Sequence, residues 1–174
     1  TSFKASVSKG FRSPTIMEMY LFAPNPELKP ERMVNYELSW LQNFFNTRLR
    51  TELTFFLAEG ENLIQVTGQY PNARRENVGT FSNRGIEIAA KFNALDNLFF
   101  HFNYSYLHTD KPIIAAPEHQ VNLSANYSIK IVNLNVSLQH IEKLYTSTDP
   151  EITESYTLLN ARINVRVRKY LNVF

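Results

Sequence analysis

Apolar and polar residues alternate one by one along most of this chain, and that alternation fixes the kind of structure it can form. In the clearest example, residues 119–130, every second side chain from Val121 to Ile129 is apolar and the intervening ones are polar. Successive side chains of a β-strand point to opposite faces, whereas an amphipathic helix needs a period of 3.6 residues. The pattern therefore predicts a β-sheet with one apolar and one polar face.

Seven further segments show the same period, so the prediction extends to eight strands. Most of them run for about 10–14 residues, whereas strands of globular proteins average about 5–6. Residues 171–174 are predicted to begin a ninth strand. The eight predicted strands are residues 1–9, 34–44, 48–58, 82–94, 97–109, 119–130, 132–138 and 156–168.

The connections between these segments alternate in length. Short ones fall at residues 43–47, 95–97, 130–132 and 168–171. Long ones fall at residues 10–32, 66–81, 110–118 and 145–155. A meander with this pattern has its short turns at one end and its long loops at the other, which is typical of a transmembrane β-barrel. A soluble antiparallel sheet with one face on a core is the alternative.

The chemistry of the two faces favours the barrel. The polar faces carry Arg, Lys, Glu and Asn, which suit a lumen filled by water or protein, and the apolar faces suit lipid. Tyr104, Tyr106 and Tyr145 lie near the long-loop ends, where an aromatic girdle is expected. We therefore predict an all-β, antiparallel transmembrane barrel portion with short periplasmic turns and long extracellular loops.

Composition narrows the function classes. The chain of 174 residues has a net charge of +2, which gives no nucleic-acid signature, and it has no cysteine for a disulfide, thiolate ligand or nucleophile. The chain contains no run of about 18 apolar residues, so the sequence does not predict a transmembrane helix. A membrane-spanning β-strand, however, needs only about 9–11 residues. The start at Thr1 lacks the basic and apolar regions of a signal peptide. We expect either a cytoplasmic protein or a piece of a longer chain.

The most distinctive sequence lies between the first two predicted strands. Residues 6–15 read SVSKGFRSPT, residues 25–31 read NPELKPE, and residues 36–37 read YE. The prolines at 24, 26 and 30 prevent a helix from running through this connection. The order of motifs resembles the C-terminal barrel region of TonB-dependent outer-membrane receptors, with their GF(R/K)xP, NPxLxPE and aromatic–Glu signatures. NRGIE at 83–87 and YTLLNA at 156–161 resemble further strands of that family.

The resemblance implies a barrel of about 22 strands around an N-terminal plug domain. Residues 1–174 would form a partial barrel domain of about eight strands, without the plug, the first barrel half and the closing strands. The implied function is import of a scarce nutrient, such as a ferric siderophore, haem or cobalamin, through the outer membrane. The implied partners are outer-membrane lipid, the receptor's own plug, the TonB complex and the small-molecule nutrient; no nucleic acid, cofactor or catalysis is implied.

Two sets of residues are candidates for contacts with these partners. Tyr70, Arg74 and Arg75 lie in the long connection 66–81, where arginines suit an anionic carrier and a tyrosine suits a flat ligand. The structural alternative for them is ordinary solvated loop charge. The second set would face the plug from the lumen as structural residues, and its members share one strand face: Arg162, Arg166 and Arg168.

No catalytic or metal constellation is predicted. The four histidines are His101, His108, His119 and His140; they stand on different predicted elements, and none forms a close pair. They are better interpreted as girdle and lumen residues. Two other function classes remain as alternatives to the receptor, a soluble β-sheet ligand-binding module and a small outer-membrane barrel enzyme.

Overall fold

The computed structural model describes residues 1–68, 71–110, 113, 115–146, 152–168 and 171–173. It contains one short helix and a succession of strands, most of them long. The elements in chain order are β1 (Ser2–Arg12), α1 (Ile16–Tyr20), β2 (Glu31–Phe44), β3 (Leu49–Glu61), β4 (Ile64–Thr67), β5 (Arg74–Asn77), β6 (Thr80–Leu95), β7 (Leu98–Thr109), β8 (Pro117–Ile129), β9 (Val132–Tyr145), β10 (Thr153–Arg168) and β11 (Leu171–Val173).

Nine of the strands form a single antiparallel sheet. Its order is β1-β2-β3-β6-β7-β8-β9-β10-β11, so each main strand pairs with the next main strand along the chain. The first eight of them are 11 to 16 residues long. The predicted all-β meander is confirmed, and so is the ninth strand that begins at Leu171. Strand β2 begins three residues earlier than predicted, and β9 ends at Tyr145 instead of residue 138.

The connection between β1 and β2 contains a helix that the sequence reading missed. Thr15 caps α1: its Oγ1 accepts a hydrogen bond from the Glu18 amide at 3.2 Å, and the Glu18 carboxylate accepts one from the Thr15 amide at 2.8 Å. This reciprocal capping box pairs amides at the first turn and explains why the helix begins after Thr15. The helix ends at Tyr20, before the first of the prolines, so the prolines do not oppose it.

The predicted long connection at residues 66–81 also holds regular structure. Strands β4 and β5 pair as a small antiparallel hairpin, with Thr67 opposite Arg74 and Ile64 opposite Asn77. Strand β4 alternates as IQVT but is only four residues long, and β5 reads RREN with no apolar residue, so periodicity does not predict the hairpin. The hairpin projects from the long-loop end of the sheet, between β3 and β6.

The apolar face of the sheet is not covered by any other part of the described chain. Leu28 and Ile141 are the buried hydrophobic residues of that part of the chain. Along β1, β2 and β3 the exposed large side chains alternate onto one face, where Phe3 stacks on Trp40 with ring centroids 6.3 Å apart. An exposed apolar face of this extent needs a nonpolar partner, and in a membrane barrel that partner is lipid. No helix in the described residues is long and apolar enough to span a membrane.

Two glycines allow aromatic rings to lie flat on the polar face. A Cβ on Gly85 would sit 2.1 Å from the Tyr106 carbonyl oxygen and 2.5 Å from the Phe56 ring. A Cβ on Gly60 would sit 1.9 Å from the Phe81 ring. Phe56 is paired directly opposite Gly85, and Phe81 directly opposite Gly60. Each ring therefore fills the space that the missing side chain leaves.

The close approach at Gly85 predicts a large effect of a single methyl group. Gly85→Ala would push against the backbone of β7 as well as the Phe56 ring, and overpacking of this kind costs about 1–3 kcal/mol. We expect a lower thermal unfolding midpoint for the variant receptor in detergent. Gly10→Ala is the matched control, because a Cβ on Gly10 would meet no atom within 4 Å. Equal midpoints for the two variants would contradict the prediction.

Candidate functional site

The β1–β2 connection is fastened to the β4–β5 hairpin by one buried asparagine. Asn25 donates from Nδ2 to the Arg75 carbonyl at 2.8 Å. Its Oδ1 accepts from the Glu27 amide at 3.0 Å and from Arg74 Nη2 at 3.0 Å. Leu28, the residue that follows Glu27, is also buried. We call this set of contacts the loop clamp.

Backbone groups and two further side chains extend the loop clamp. The Arg75 amide donates to the Ala23 carbonyl at 3.0 Å, and its guanidinium donates to the carbonyls of Leu21 and Phe22. Asn77 accepts from the Lys29 amide at 2.8 Å and donates to the Lys29 carbonyl at 2.9 Å. The NPELKPE segment therefore has a structural role, since its polar groups hold two outer loops together.

A charged cluster ties the same loops to the sheet. Arg12, the last residue of β1, forms two hydrogen bonds to Glu31, at 2.6 and 2.8 Å, and also contacts Glu18 of α1 at 3.0 Å. Glu31 accepts in addition from the Ile64 amide at 2.9 Å. The hydrogen bond from the Thr15 amide, together with Arg12, holds the pKa of Glu18 below its ordinary value. Four elements thus converge on one arginine at the long-loop end.

The predicted ligand residues fall within this arrangement. Arg74 and Arg75 both take part in the loop clamp, and about half of the Arg74 side chain is exposed, 3.7 Å from Glu27. Tyr70 lies outside the described residues. The structure thus gives the two arginines a loop-ordering role that the sequence did not suggest. Ligand contact by these three residues stays a prediction.

The register brings together three carboxylates on the polar face that the sequence reading did not group. Glu37 of β2, Glu52 of β3 and Glu87 of β6 line one depression of about 340 Å³, with Lys4 at its side. Glu37 accepts from Asn35 at 2.6 Å. We call the three glutamates the acidic patch. Their positions are 37, 52 and 87, so no sequence motif joins them; only strand pairing does.

Two of the predicted plug-facing arginines, Arg162 and Arg166, lie on the same polar face, five strands away from β3. Arg162 of β10 is paired opposite Asn135, and Arg166 lines a depression of about 490 Å³ with Lys130 and Asn164 at the short-turn end. The side chain of Arg168 lies outside the described part of the chain. That these arginines face a plug remains a prediction, although the register confirms that Arg162 and Arg166 share one face.

The histidines are dispersed. His119 lies between two tyrosines on the apolar face: the Tyr104 hydroxyl is 2.9 Å from its Nδ1, and the Tyr106 ring centroid is 5.0 Å away. His140 Nδ1 is 2.8 Å from the Thr157 hydroxyl. In the described residues, no three His, Asp or Glu side chains are close enough to hold a metal ion. A girdle position for His119 and the neighbouring tyrosines stays a prediction.

The meander, its sorted connections and its exposed apolar face define the wall of an outer-membrane β-barrel. Residues 1–174 match the family described as TonB dependent receptor-like, beta-barrel. The chain therefore belongs to the TonB-dependent receptor family, as its motifs indicated, and its location is the outer membrane.

Several relatives support this assignment. The chain is similar to a mutant ferric enterobactin receptor of Pseudomonas aeruginosa in complex with enterobactin (TM-score 0.81, 18% identity, 98% of this chain and 31% of that one). It is also similar to the siderophore receptor PirA of Pseudomonas aeruginosa (TM-score 0.77, 17% identity, 98% and 31%). The "Probable hemoglobin and hemoglobin-haptoglobin-binding protein 4" of Haemophilus influenzae is 30% identical over 129 residues, 59% of this chain and 13% of that protein.

The chain spans less than a third of the length of each of these relatives. At 17–18% identity, the likeness to the two solved structures shows a shared fold. The relatives are named as receptors and binding proteins, and the chain belongs with them and not with enzymes.

The loop clamp yields a mutational prediction. Asn25→Ala removes a buried side chain that makes three hydrogen bonds, and groups left unpaired by such a change cost about 1–3 kcal/mol. We expect faster amide exchange and faster proteolysis in residues 21–30 and 74–77 of the intact receptor, with the sheet unchanged. Asn72→Ala, at an exposed position of the same hairpin loop, should leave both rates as they are. Equal rates in the two variants would contradict the clamp.

The Glu18 carboxylate yields a prediction about pH. Because its pKa is lowered in the folded loop, its stabilising contribution is fully present above the ordinary glutamate value of about 4.3 and is lost as the pH falls through the lowered pKa. We expect amide exchange in α1, corrected for its intrinsic pH dependence, to rise in that acidic range. Glu18→Gln should abolish the change, whereas Glu76→Gln in β5 should preserve it. A wild-type profile without the acidic rise would refute the assignment.

Proposed function

We propose that this chain is part of a receptor that imports a scarce nutrient, with an iron-bearing compound as the first candidate, from the exterior to the periplasm. The observation that carries the proposal is the family match over residues 1–174. The named ligands of its relatives, enterobactin and haemoglobin, support an iron source. Ferric siderophore, haem and cobalamin are the candidate nutrients.

The extracellular side of the proposed receptor includes the clamped loops. Arg74, Arg75 and Tyr70 would contact the nutrient there, as arginine guanidiniums suit carboxylates and other anionic oxygens. The loop clamp supports this proposal, because ordering the two loops before the ligand arrives lowers the entropy cost of binding. The half-exposed Arg74 guanidinium would keep part of its surface available to a ligand.

The proposed domain organisation places residues 1–174 in one barrel wall around a plug domain encoded elsewhere in the receptor. The polar face would meet that plug. Cationic plug residues would suit the acidic patch, and anionic ones would suit Arg162, Arg166 and Arg168. Energy would come through the TonB complex, which acts on the plug and not on this wall. The apolar face would contact outer-membrane lipid.

Two alternatives followed from the sequence alone, a soluble ligand-binding sheet and a small barrel enzyme. The family assignment favours the receptor over both. Growth tests provide the direct check. A strain that lacks the gene should fail to grow on one or more of ferric siderophore, haem or cobalamin as the limiting source, and the plasmid-borne gene should restore growth. Unimpaired growth of the deletion strain on every source would refute nutrient import.

The loop arginines can be separated from the clamp by comparing two variants. Arg74→Ala removes a cation together with one hydrogen bond to Asn25, whereas Asn25→Ala loosens the clamp and leaves the cation in place. If Arg74 contacts an anionic nutrient, we expect Arg74→Ala to weaken binding to whole cells by about 10- to 100-fold, because the loss of a charge-assisted hydrogen bond costs about 1.5–3 kcal/mol. Asn25→Ala should weaken it less. If both variants lose the same binding affinity, Arg74 acts only through the loop clamp and does not contact the nutrient.

A further inference from the structure

The apolar face of the sheet becomes charged at the long-loop end. On β1, β2, β3 and β6, its charged side chains begin at Lys9, Arg32, Glu59 and Arg84. Within the described residues of these strands, every position of this face from there to the short turns is uncharged. In a membrane barrel this face meets lipid, so the change from uncharged to charged residues marks the depth at which hydrocarbon gives way to headgroups.

Two rows of side chains at this charged end line one depression of about 900 Å³, which we call the trough. Each row crosses β1, β2, β3 and β6 in register, on the apolar face. The first row is Lys9, Val34, Glu59 and Ser82. The second row, nearer the long loops, is Phe11, Arg32, Glu61 and Thr80. Because the residues between these rows, such as Gly10 and Gly60, belong to the polar face, the two rows form walls and the trough opens on the apolar side.

The trough combines opposite charges with an exposed aromatic ring. Arg32 Nη1 lies 3.6 Å from Glu61 Oε1, and these two side chains are 70% and 53% exposed. Lys9 forms no ion pair within the described residues, and Phe11 is 78% exposed. At the edge, the Asp110 carboxylate accepts a backbone hydrogen bond from β6 at 3.0 Å. Most of these groups are therefore free to contact a molecule that lies in the trough.

The charges of the trough and its edges balance one another. Three are positive and three are negative: Lys9, Arg32 and Arg84 against Glu59, Glu61 and Asp110. Each sugar hydroxyl both donates and accepts, so it can bond a carboxylate and a cationic group side by side. A phosphate, by contrast, would be repelled by the carboxylates. The Phe11 ring adds an apolar surface for the C–H groups of a sugar ring, so the trough fits sugar better than phosphate.

The size of the trough also favours a sugar headgroup. Neighbouring strands are about 4.8 Å apart, so a trough across four strands extends for about 14 Å over the sheet. Its two rows are two residues apart along each strand, which adds a width of about 7 Å. That footprint exceeds a single phosphate–ethanolamine headgroup and matches a short chain of sugar rings.

We propose that the trough binds the sugar headgroup of a glycolipid in the outer leaflet of the outer membrane. The acyl chains of this lipid would continue along the uncharged part of the same face, past Val7 and Tyr36, which are paired opposite each other. The site is thus continuous with the lipid-facing surface and lies on the side of the wall that a plug in the lumen does not reach. The proposal goes beyond nutrient import and does not depend on which nutrient is carried.

Two matched double variants of the full receptor test the site. Lys9→Ala combined with Phe11→Ala removes a cation and an exposed ring from the trough. Lys4→Ala combined with Phe3→Ala removes the same two kinds of side chain from the same strand, outside the trough. All four residues are exposed, so we expect both receptors to fold and to reach the membrane. If the Lys9 and Phe11 double variant fails to do so, Phe11→Ala compared with Phe3→Ala carries the test.

Native mass spectrometry of the detergent-solubilised receptor measures its affinity for each of three lipids. Digalactosyl diacylglycerol presents a neutral sugar headgroup, phosphatidylglycerol an anionic phosphate, and phosphatidylethanolamine a zwitterionic one. We expect the wild-type receptor to bind the sugar lipid about tenfold more tightly than the other two. The Lys9 and Phe11 double variant should weaken that binding about tenfold, on the scale of one lost charge-assisted hydrogen bond, and the Lys4 and Phe3 double variant should leave it unchanged.

Each other outcome overturns a stated part of the proposal. Equal weakening by the two double variants would place the lipid site outside the trough. Tighter binding of phosphatidylglycerol or phosphatidylethanolamine would overturn sugar recognition in favour of a phosphate or a zwitterionic headgroup. Failure to bind any of the three lipids, with a change of oligomeric state in the Lys9 and Phe11 double variant, would assign the trough to a second copy of the receptor. None of these results bears on nutrient import, which the growth tests address separately.

Discussion

Hydrogen bonding between neighbouring strands is the interaction on which the rest of this structure depends. A backbone that crosses lipid has no water with which to satisfy its amides and carbonyls, so each strand must bond to another strand along its whole length. That need explains strands of 11 to 16 residues that pair almost without interruption from β1 to β10. Few hydrophobic side chains are buried among the described residues, so the ladder of backbone hydrogen bonds, and not a packed core, holds these strands together.

The same ladder determines where function can reside. Each long strand presents one apolar face, so charged and hydrogen-bonding side chains are concentrated on the polar face and in the connections at the two ends. At the long-loop end, the buried Asn25 and the partly exposed Arg12 cluster hold two loops in place. On the polar face, strand register brings Glu37, Glu52 and Glu87 together as the acidic patch.

The sequence predicted the large elements well and the small ones poorly, for a physical reason. Alternation over ten or more residues is a property of a single strand, so β7 and β8 were identified nearly to their ends. The helix α1 and the hairpin β4–β5 are four or five residues long and are fixed by contacts with other segments. The helix could have been predicted from Thr15 and Glu18, because a Thr followed by a Glu three residues later is the spacing of a capping box. The RREN sequence of β5 carried none.

The sequence by itself determined the fold class, the polarity of each face, the sorting of long and short connections and the family, because these follow from period and from contiguous motifs. Tertiary structure alone decided which distant side chains meet. Glu37, Glu52 and Glu87 become neighbours, and Arg74 reaches Asn25, only when strands and loops are placed in register. A shift of one residue would move every side chain to the opposite face, so these groupings depend on pairing energies summed over the whole sheet.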